Sequence, residues 1–376
     1  MQPKAARNIS IEALRLVAVA GIAIFHTFQW TFQEACAGAV EYAPLAAFPY
    51  SGVLGFINLL GCWANEVFFM ISGYFLIASA AHSWNDGTTW ASQIQRTVQR
   101  LDKVVLPTVF YCLAALAWST VISPIPDVSL ATHYWYTLGL EFIWVYAATV
   151  CMAPLFGLAK GQLSQKSYAA TVIAVGILAF VANGYLAAMS SANGGEFSWL
   201  QKIMSAVTYV IAFLIGGLLR DITDGMNSGR ARALGSRSLI AVLAIAIVLE
   251  STLSFTGNLA AMATLSYKST SLISFVLAAA SLLFAATRHS ALGNPQVARA
   301  IVTLSAATLG FYVMQSLTSS LWRPIFNAML ANILVAQSNP ASICIATGTA
   351  ISIVYALVLL VVDAVRSRVV HSLKQR

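Results

Sequence analysis

The residues best suited to chemistry lie in the first apolar stretch, where Ile11-Glu12-Ala13-Leu14-Arg15 is followed by an uncharged run to Phe25-His26. Eleven helical residues turn through about three revolutions, so Arg15 and His26 share one face about 16 Å apart along the axis. Glu12 sits one turn before Arg15 and can steady its guanidinium. An ionisable group inside a membrane helix must be offset by a partner or a cavity, which makes both residues candidates for a site. A fixed cation near one mouth suits an anionic ligand, and a deeper imidazole suits proton transfer because its pKa lies near neutrality. The alternative is structural: Arg15 snorkels as a flanking anchor and His26 bonds a neighbouring helix.

Further polar residues follow. The second apolar stretch contains Asn65-Glu66 and then Phe68-Phe69-Met70-Ile71-Ser72-Gly73-Tyr74. Ser72-Gly73 lets another backbone approach, and Tyr74 adds a hydroxyl to an apolar helix. Glu66 is either an interfacial charge or a site group. Arg96, Arg100 and Lys103 recur at i, i+4 and i+7, a basic stripe that fits phosphate binding or anchoring to phospholipid equally well. His133 with Tyr134-Trp135-Tyr136 reads as an interfacial aromatic belt, whereas Glu141 and Tyr146 lie deeper. Five scattered cysteines have no metal-ligand spacing, so neither a metal site nor a disulfide framework is expected.

The elements that must position these groups are membrane helices. Of 376 residues, 59% are hydrophobic and 9% charged, too few charges to clothe a water-soluble domain. Apolar blocks of spanning length occur at roughly 11–30, 63–81, 104–122, 137–158, 169–189, 203–219, 238–254, 271–287, 302–322 and 342–364. The expected fold is therefore an all-α polytopic membrane protein of about ten helices in a single domain. The stretch 44–62, with Pro44, Pro49, Gly52 and Gly55, is expected to be a re-entrant or interfacial lead-in rather than a crossing. Seventeen Lys and Arg fall on the side of the termini; the opposite loops hold only Lys202, Lys268 and Arg323. That asymmetry puts both termini in the cytoplasm, and it accounts for the net charge of +8 without nucleic acid as a partner. The partner implied by composition is membrane lipid.

Arg15 and His26 in this order, then Phe68-Phe69-Met70-Ile71-Ser72-Gly73-Tyr74, resemble acyltransferase family 3, membrane O-acyltransferases acting on bacterial surface carbohydrates. The opening Arg7-Asn8-Ile9-Ser10-Ile11-Glu12, the basic stripe leading to Pro107, Tyr134-Trp135-Tyr136 and Leu309-Gly310-Phe311-Tyr312 extend the resemblance over nearly the whole chain. Gln315 departs from it, standing where many relatives have histidine. The resemblance implies a multi-pass protein of a bacterial plasma (inner) membrane. It would transfer an acyl group, most simply acetyl, from cytosolic acyl-CoA to a hydroxyl of an exported or surface carbohydrate or glycolipid. Arg15 with Arg96, Arg100 and Lys103 would bind the coenzyme A phosphates, and His26 would act as base or acyl carrier. Ser72, Tyr74 and Tyr312 would be candidate oxyanion donors, with Glu12, Glu66 and Glu141 in support. Two rival readings of the buried Arg15 and His26 are a secondary transporter and a lipid-linked glycan flippase. The first should show matching broken helices in two halves, the second large outer loops or a wide cationic cavity.

Overall fold

The computed structural model describes residues 7–132, 140–192, 198–266, 271–288, 294–336 and 338–374. His133 and Tyr134-Trp135-Tyr136 lie outside the described residues. Fourteen α-helices and no strand occur among those described. They are α1 (Ile9–Cys36), α2 (Ala43–Ala46), α3 (Tyr50–Asn85), α4 (Trp90–Val121), α5 (Glu141–Gln162), α6 (Gln165–Ala192), α7 (Ser198–Gly225) and α8 (Ser228–Phe255). The remainder are α9 (Leu259–Leu265), α10 (Leu272–Ala286), α11 (Pro295–Ser305), α12 (Thr308–Leu317), α13 (Ser319–Ala336) and α14 (Pro340–Lys374). Eight of these are long and apolar enough to cross a bilayer, and α11 with α12 passes the same test as a bent pair, a broken span or a re-entrant loop. With the short apolar α10, each of the ten expected segments overlaps one of these elements. The chain is an all-α polytopic membrane protein.

Helix α1 begins where the sequence asks it to. Asn8 caps it by accepting from the backbone N–H of Ser10 and Ile11, and Glu12 lies in its first turn. Helix α3 is the hub of the bundle and packs against α1, α5, α7, α8 and α10. Its burial depends on glycines. A Cβ at Gly73 would lie 1.7 Å from the Phe213 carbonyl oxygen, and one at Gly216 would lie 2.0 Å from that of Met70, so α3 and α7 cross with their backbones in contact. Both helices run the same way, joined by Asn65 to Tyr209 at 3.1 Å and by Tyr74 to Thr223 at 2.9 Å.

Two expectations about span ends change. The stretch 50–62 is not a re-entrant lead-in but the first third of α3, a continuous helix of 36 residues. Its glycines are packing residues: Gly52 faces Ser254, Gly55 faces Glu250 and Met262, and Gly61 faces the Phe25 ring. Pro44 opens α2, and Pro49 stands immediately before α3, where prolines are tolerated. The stretch 302–322, expected as one helix, is divided into α11, α12 and the start of α13, with a bend of 45° between the first two. At the bend, side chains compete with the helix backbone: the Ser305 hydroxyl donates to Glu12, and Thr308 donates to the Ser305 carbonyl.

Candidate active site

Two cavities lie end to end along α1, α3, α5 and α12. The first, about 340 Å³, is lined by Arg15, Val19 and Ile22 of α1, Phe68, Ser72 and Leu76 of α3, and Arg100, Lys103 and Val104 of α4. Helix α5 adds Phe142, Ile143, Tyr146 and Val150, and the broken span adds Ser305, Ala306, Thr308, Leu309, Phe311 and Tyr312. Its cations belong to the side of the chain termini, so it is the inner cavity. The second, about 480 Å³, holds His26 and Gln29 of α1, Asn65 of α3, Glu141, Phe142 and Val145 of α5, and Lys202 and Tyr209 of α7. It continues with Tyr312, Gln315 and Ser316 of α12 and Ser319, Trp322 and Arg323 of α13. This is the outer cavity. On α1 the lining residues 15, 19, 22, 26 and 29 follow one another at steps of four and three, a single helical face running through both spaces.

Phe142 and Tyr312 line both cavities and form the wall between them, with ring centroids 4.5 Å apart. Phe68, Phe69, Tyr146 and Tyr209 surround Phe142 at 5.1 to 6.4 Å, and Phe69 stacks on Tyr209 at 4.7 Å. Such offset and edge-to-face packing makes a stiff aromatic layer across the middle of the bundle.

At the inner mouth, Glu12 Oε2 accepts from Arg15 Nη1 at 2.9 Å and from Ser305 Oγ at 2.7 Å. Glu12 therefore fixes Arg15 and ties α1 to the bend of the broken span. Arg100 Nη2 reaches Ser79 Oγ at 3.4 Å, while its buried Nη1 has no hydrogen-bond partner among the described residues. Arg96 donates to Ser83 Oγ and lies off the cavity lining. Ser72 donates to the Phe68 carbonyl at 2.9 Å, leaving Tyr146 as donor to Ser72 at 2.9 Å.

In the outer cavity, His26 Nδ1 lies 3.4 Å from Gln29 Oε1 and 3.2 Å from Arg323 Nη2. These neighbours favour opposite tautomers. Gln29 Oε1 needs a proton on Nδ1, which leaves a lone pair on Nε2; Arg323, which only donates, needs the lone pair on Nδ1. The position of Arg323 thus bears on which nitrogen of His26 can serve as a base.

The expected site residues separate into groups. Arg15, Ser72, Arg100 and Lys103 line the inner cavity, His26 and Glu141 the outer one, and Tyr312 both. Tyr74 lines neither; Thr223 donates to the Arg220 carbonyl, so Tyr74 donates to Thr223 beneath the Arg220 guanidinium. Glu66 is fully buried in α3, lines neither cavity, and neither carboxylate oxygen has a hydrogen-bond partner among the described residues. Phe142 and Arg323 were not singled out as site residues. Arg323 carried a usable signal, being one of only three basic residues on the outer side; Phe142 is one aromatic among many and carried none.

Among the described residues, no group of three His, Cys, Asp or Glu side chains could hold a metal ion. No curated protein and no solved structure matches the chain. Residues 8–359, nearly the whole length, match the sequence profile described as the acyltransferase domain of acyltransferase family 3. This match shows that the chain, an all-α membrane protein, is an acyltransferase belonging to that family.

Proposed function

We propose that the protein moves an acyl group, most simply acetyl, from cytosolic acyl-CoA to a hydroxyl of an exported or cell-surface carbohydrate or glycolipid in the bacterial plasma membrane. The observation that carries this reading is the pair of cavities meeting at Phe142 and Tyr312, one with a basic mouth and the other containing His26. In this reading Arg15, Arg100 and Lys103 receive the coenzyme A phosphates, with Arg96 just outside. The pantetheine arm lies along the apolar inner cavity, whose volume is in the range of small-molecule sites. The thioester then reaches the outer cavity past Phe142 and Tyr312, so this pair must part during turnover.

The acceptor hydroxyl attacks the thioester carbonyl carbon as His26 takes its proton. A carbon–oxygen bond forms, the carbonyl π pair moves to oxygen, and the tetrahedral intermediate collapses with cleavage of the carbon–sulfur bond. The departing thiolate takes the proton back from His26, giving free coenzyme A thiol and acylated acceptor. Of the oxyanion donors expected from sequence, Tyr312 is the best placed because it faces both cavities, whereas Tyr74 is engaged elsewhere.

The test is thiol release from acetyl-CoA by purified protein in lipid, with wild type, His26→Ala and Arg15→Ala compared. Release that disappears in His26→Ala, and an Arg15→Ala defect that high donor concentration relieves, are the expected results. Turnover surviving His26→Ala would remove the imidazole from the chemistry.

A further inference from the structure

The outer face of this chain is almost without basic residues, yet two of its three, Lys202 and Arg323, line the cavity that contains His26. They come from different helices, α7 and α13, and line the same space. Neither forms an ion pair among the described residues. Arg323 Nε is buried with no hydrogen-bond partner among the described residues, and its guanidinium lies against the Trp322 ring at 5.6 Å. Among the described residues the only carboxylate in the lining is Glu141, exposed at the start of α5. The positive-inside rule disfavours cations here, so their placement in the lining has to be explained by what the cavity holds. A guanidinium with unspent donors and a flexible ammonium at the rim make a matched receptor for a carboxylate or a phosphate.

We infer that the acceptor is an anionic hydroxyl compound, bearing a carboxylate or phosphate that Arg323 and Lys202 bind while its hydroxyl is presented to His26. This rests on the acyl-transfer reading and narrows it to a class of acceptor. It also gives the contact between Arg323 and His26 Nδ1 a purpose. Arg323 on Nδ1 holds the proton on Nε2. When the acceptor's anion draws the guanidinium away, Nδ1 is free to carry the proton toward Gln29 Oε1, and Nε2 gains the lone pair that accepts the hydroxyl proton. Arg323 is then a positioning residue that sets the base only when a charged acceptor is seated.

The experiment is calorimetric titration of the full chain in nanodiscs of zwitterionic lipid, without donor. The probes are glycerol 3-phosphate and glucuronate, each compared with its neutral counterpart, glycerol or glucose. At least one anionic probe is expected to bind on the order of tenfold more tightly than its neutral counterpart. The preference should vanish in Arg323→Gln, fall in Lys202→Gln and persist in part in Arg323→Lys. Lys202 is exposed, so its removal leaves the fold intact and keeps the test valid if Arg323→Gln does not fold. A stronger response to phosphate or to carboxylate identifies the group, and both support the inference. Equal binding of neutral probes, a charge preference unchanged in Arg323→Gln and Lys202→Gln, or no binding by any probe would overturn it. Thiol release from acetyl-CoA in the same variants separates the two claims. A charge preference without acyl transfer would sink the transferase reading alone, and transfer to neutral acceptors without a preference would sink this inference alone.

Discussion

The crossing of α3 and α7 gives the firmest quantitative prediction. In Gly73→Ala the new methyl would sit 1.7 Å from the Phe213 carbonyl oxygen and 3.0 Å from the Phe213 Cα. Close carbon-to-oxygen contacts between helices settle near about 3.3 Å, so the backbones must separate by roughly 1.6 Å. The obstacle is backbone, and no rotamer change can relieve it. A gap approaching 1 Å already forfeits up to about half of each dispersion contact along the seam, which involves the fully buried Phe69, Met70 and Phe213. The expected cost is about 3 kcal/mol, at the upper end for overpacking, and a fall in melting temperature on the order of 5 °C. Gly216→Ala, whose methyl would meet the Met70 carbonyl oxygen at 2.0 Å, should cost a similar amount. The double variant should cost much less than the sum, because the first substitution opens the seam for the second. Gly184→Ala in α6, where an added Cβ meets nothing within 4 Å, is the control and should be neutral or slightly stabilising. The assay is thermal unfolding of detergent-solubilised protein followed by the loss of the monodisperse chromatographic peak. A Gly73→Ala protein that melts with wild type and Gly184→Ala would refute the claim that these backbones touch.

Other outcomes concern activity, read as thiol release from acetyl-CoA. Glu12→Gln weakens the hold on Arg15, and should raise the KM for donor about tenfold while changing kcat little. Arg100→Ala, in the cavity lining, should raise the donor KM clearly more than Arg96→Ala, which sits off it; equal effects would place the phosphates elsewhere. Phe142→Ala joins the two cavities, and should increase thiol release without acceptor relative to transfer as water gains access to the thioester; an unchanged ratio would deny the aromatic wall its role. Gly310→Ala would press a methyl to 2.2 Å from the Asp363 carboxyl carbon, so it should lower kcat at least tenfold, with partial recovery in Gly310→Ala/Asp363→Ala.

Residues whose role is set by neighbours in sequence were legible before any coordinates. The Glu12–Arg15 pair and the shared face of Arg15 and His26 follow from helical geometry and intrinsic chemistry. What depends on distant partners was not. Gly52 and Gly55 look like breakers in sequence, but they are contact points for α8 and α9, visible only once those helices are in place. The bend before Thr308 has no proline within it; there the Ser305 hydroxyl donates to Glu12, 293 residues away, and Thr308 to the Ser305 carbonyl, contacts that no local pattern announces. Tyr74 was attractive as a hydroxyl on an apolar helix, but Thr223 on α7 takes its proton. Arg323 reads in sequence as a loop charge, because nothing local reveals that α13 folds back over His26.

The motif Leu309-Gly310-Phe311-Tyr312 shows how such distant partners give a short sequence its meaning. Gly310 lies so close to α14 that any side chain would strike Asp363, whose carboxylate accepts from Tyr111 of α4 and from Arg366, both at 2.7 Å. The glycine thus locks α12 against a cross-linked pair of helices. Two residues later the helix has turned about 200°, so Tyr312 points away from α14 and into the wall shared with Phe142. Phe311, between them, is fully buried and fixes the rotation of α12 about its own axis. Contact, rotation and partition are assigned to three successive residues, and the broken span lets them act at the depth where the cavities meet. Ser305 and Ala306, at the bend, line the inner cavity, and Tyr312 stands at the wall on α12. The bend thus borders the inner cavity, and Glu12 couples it to Arg15 at the basic mouth.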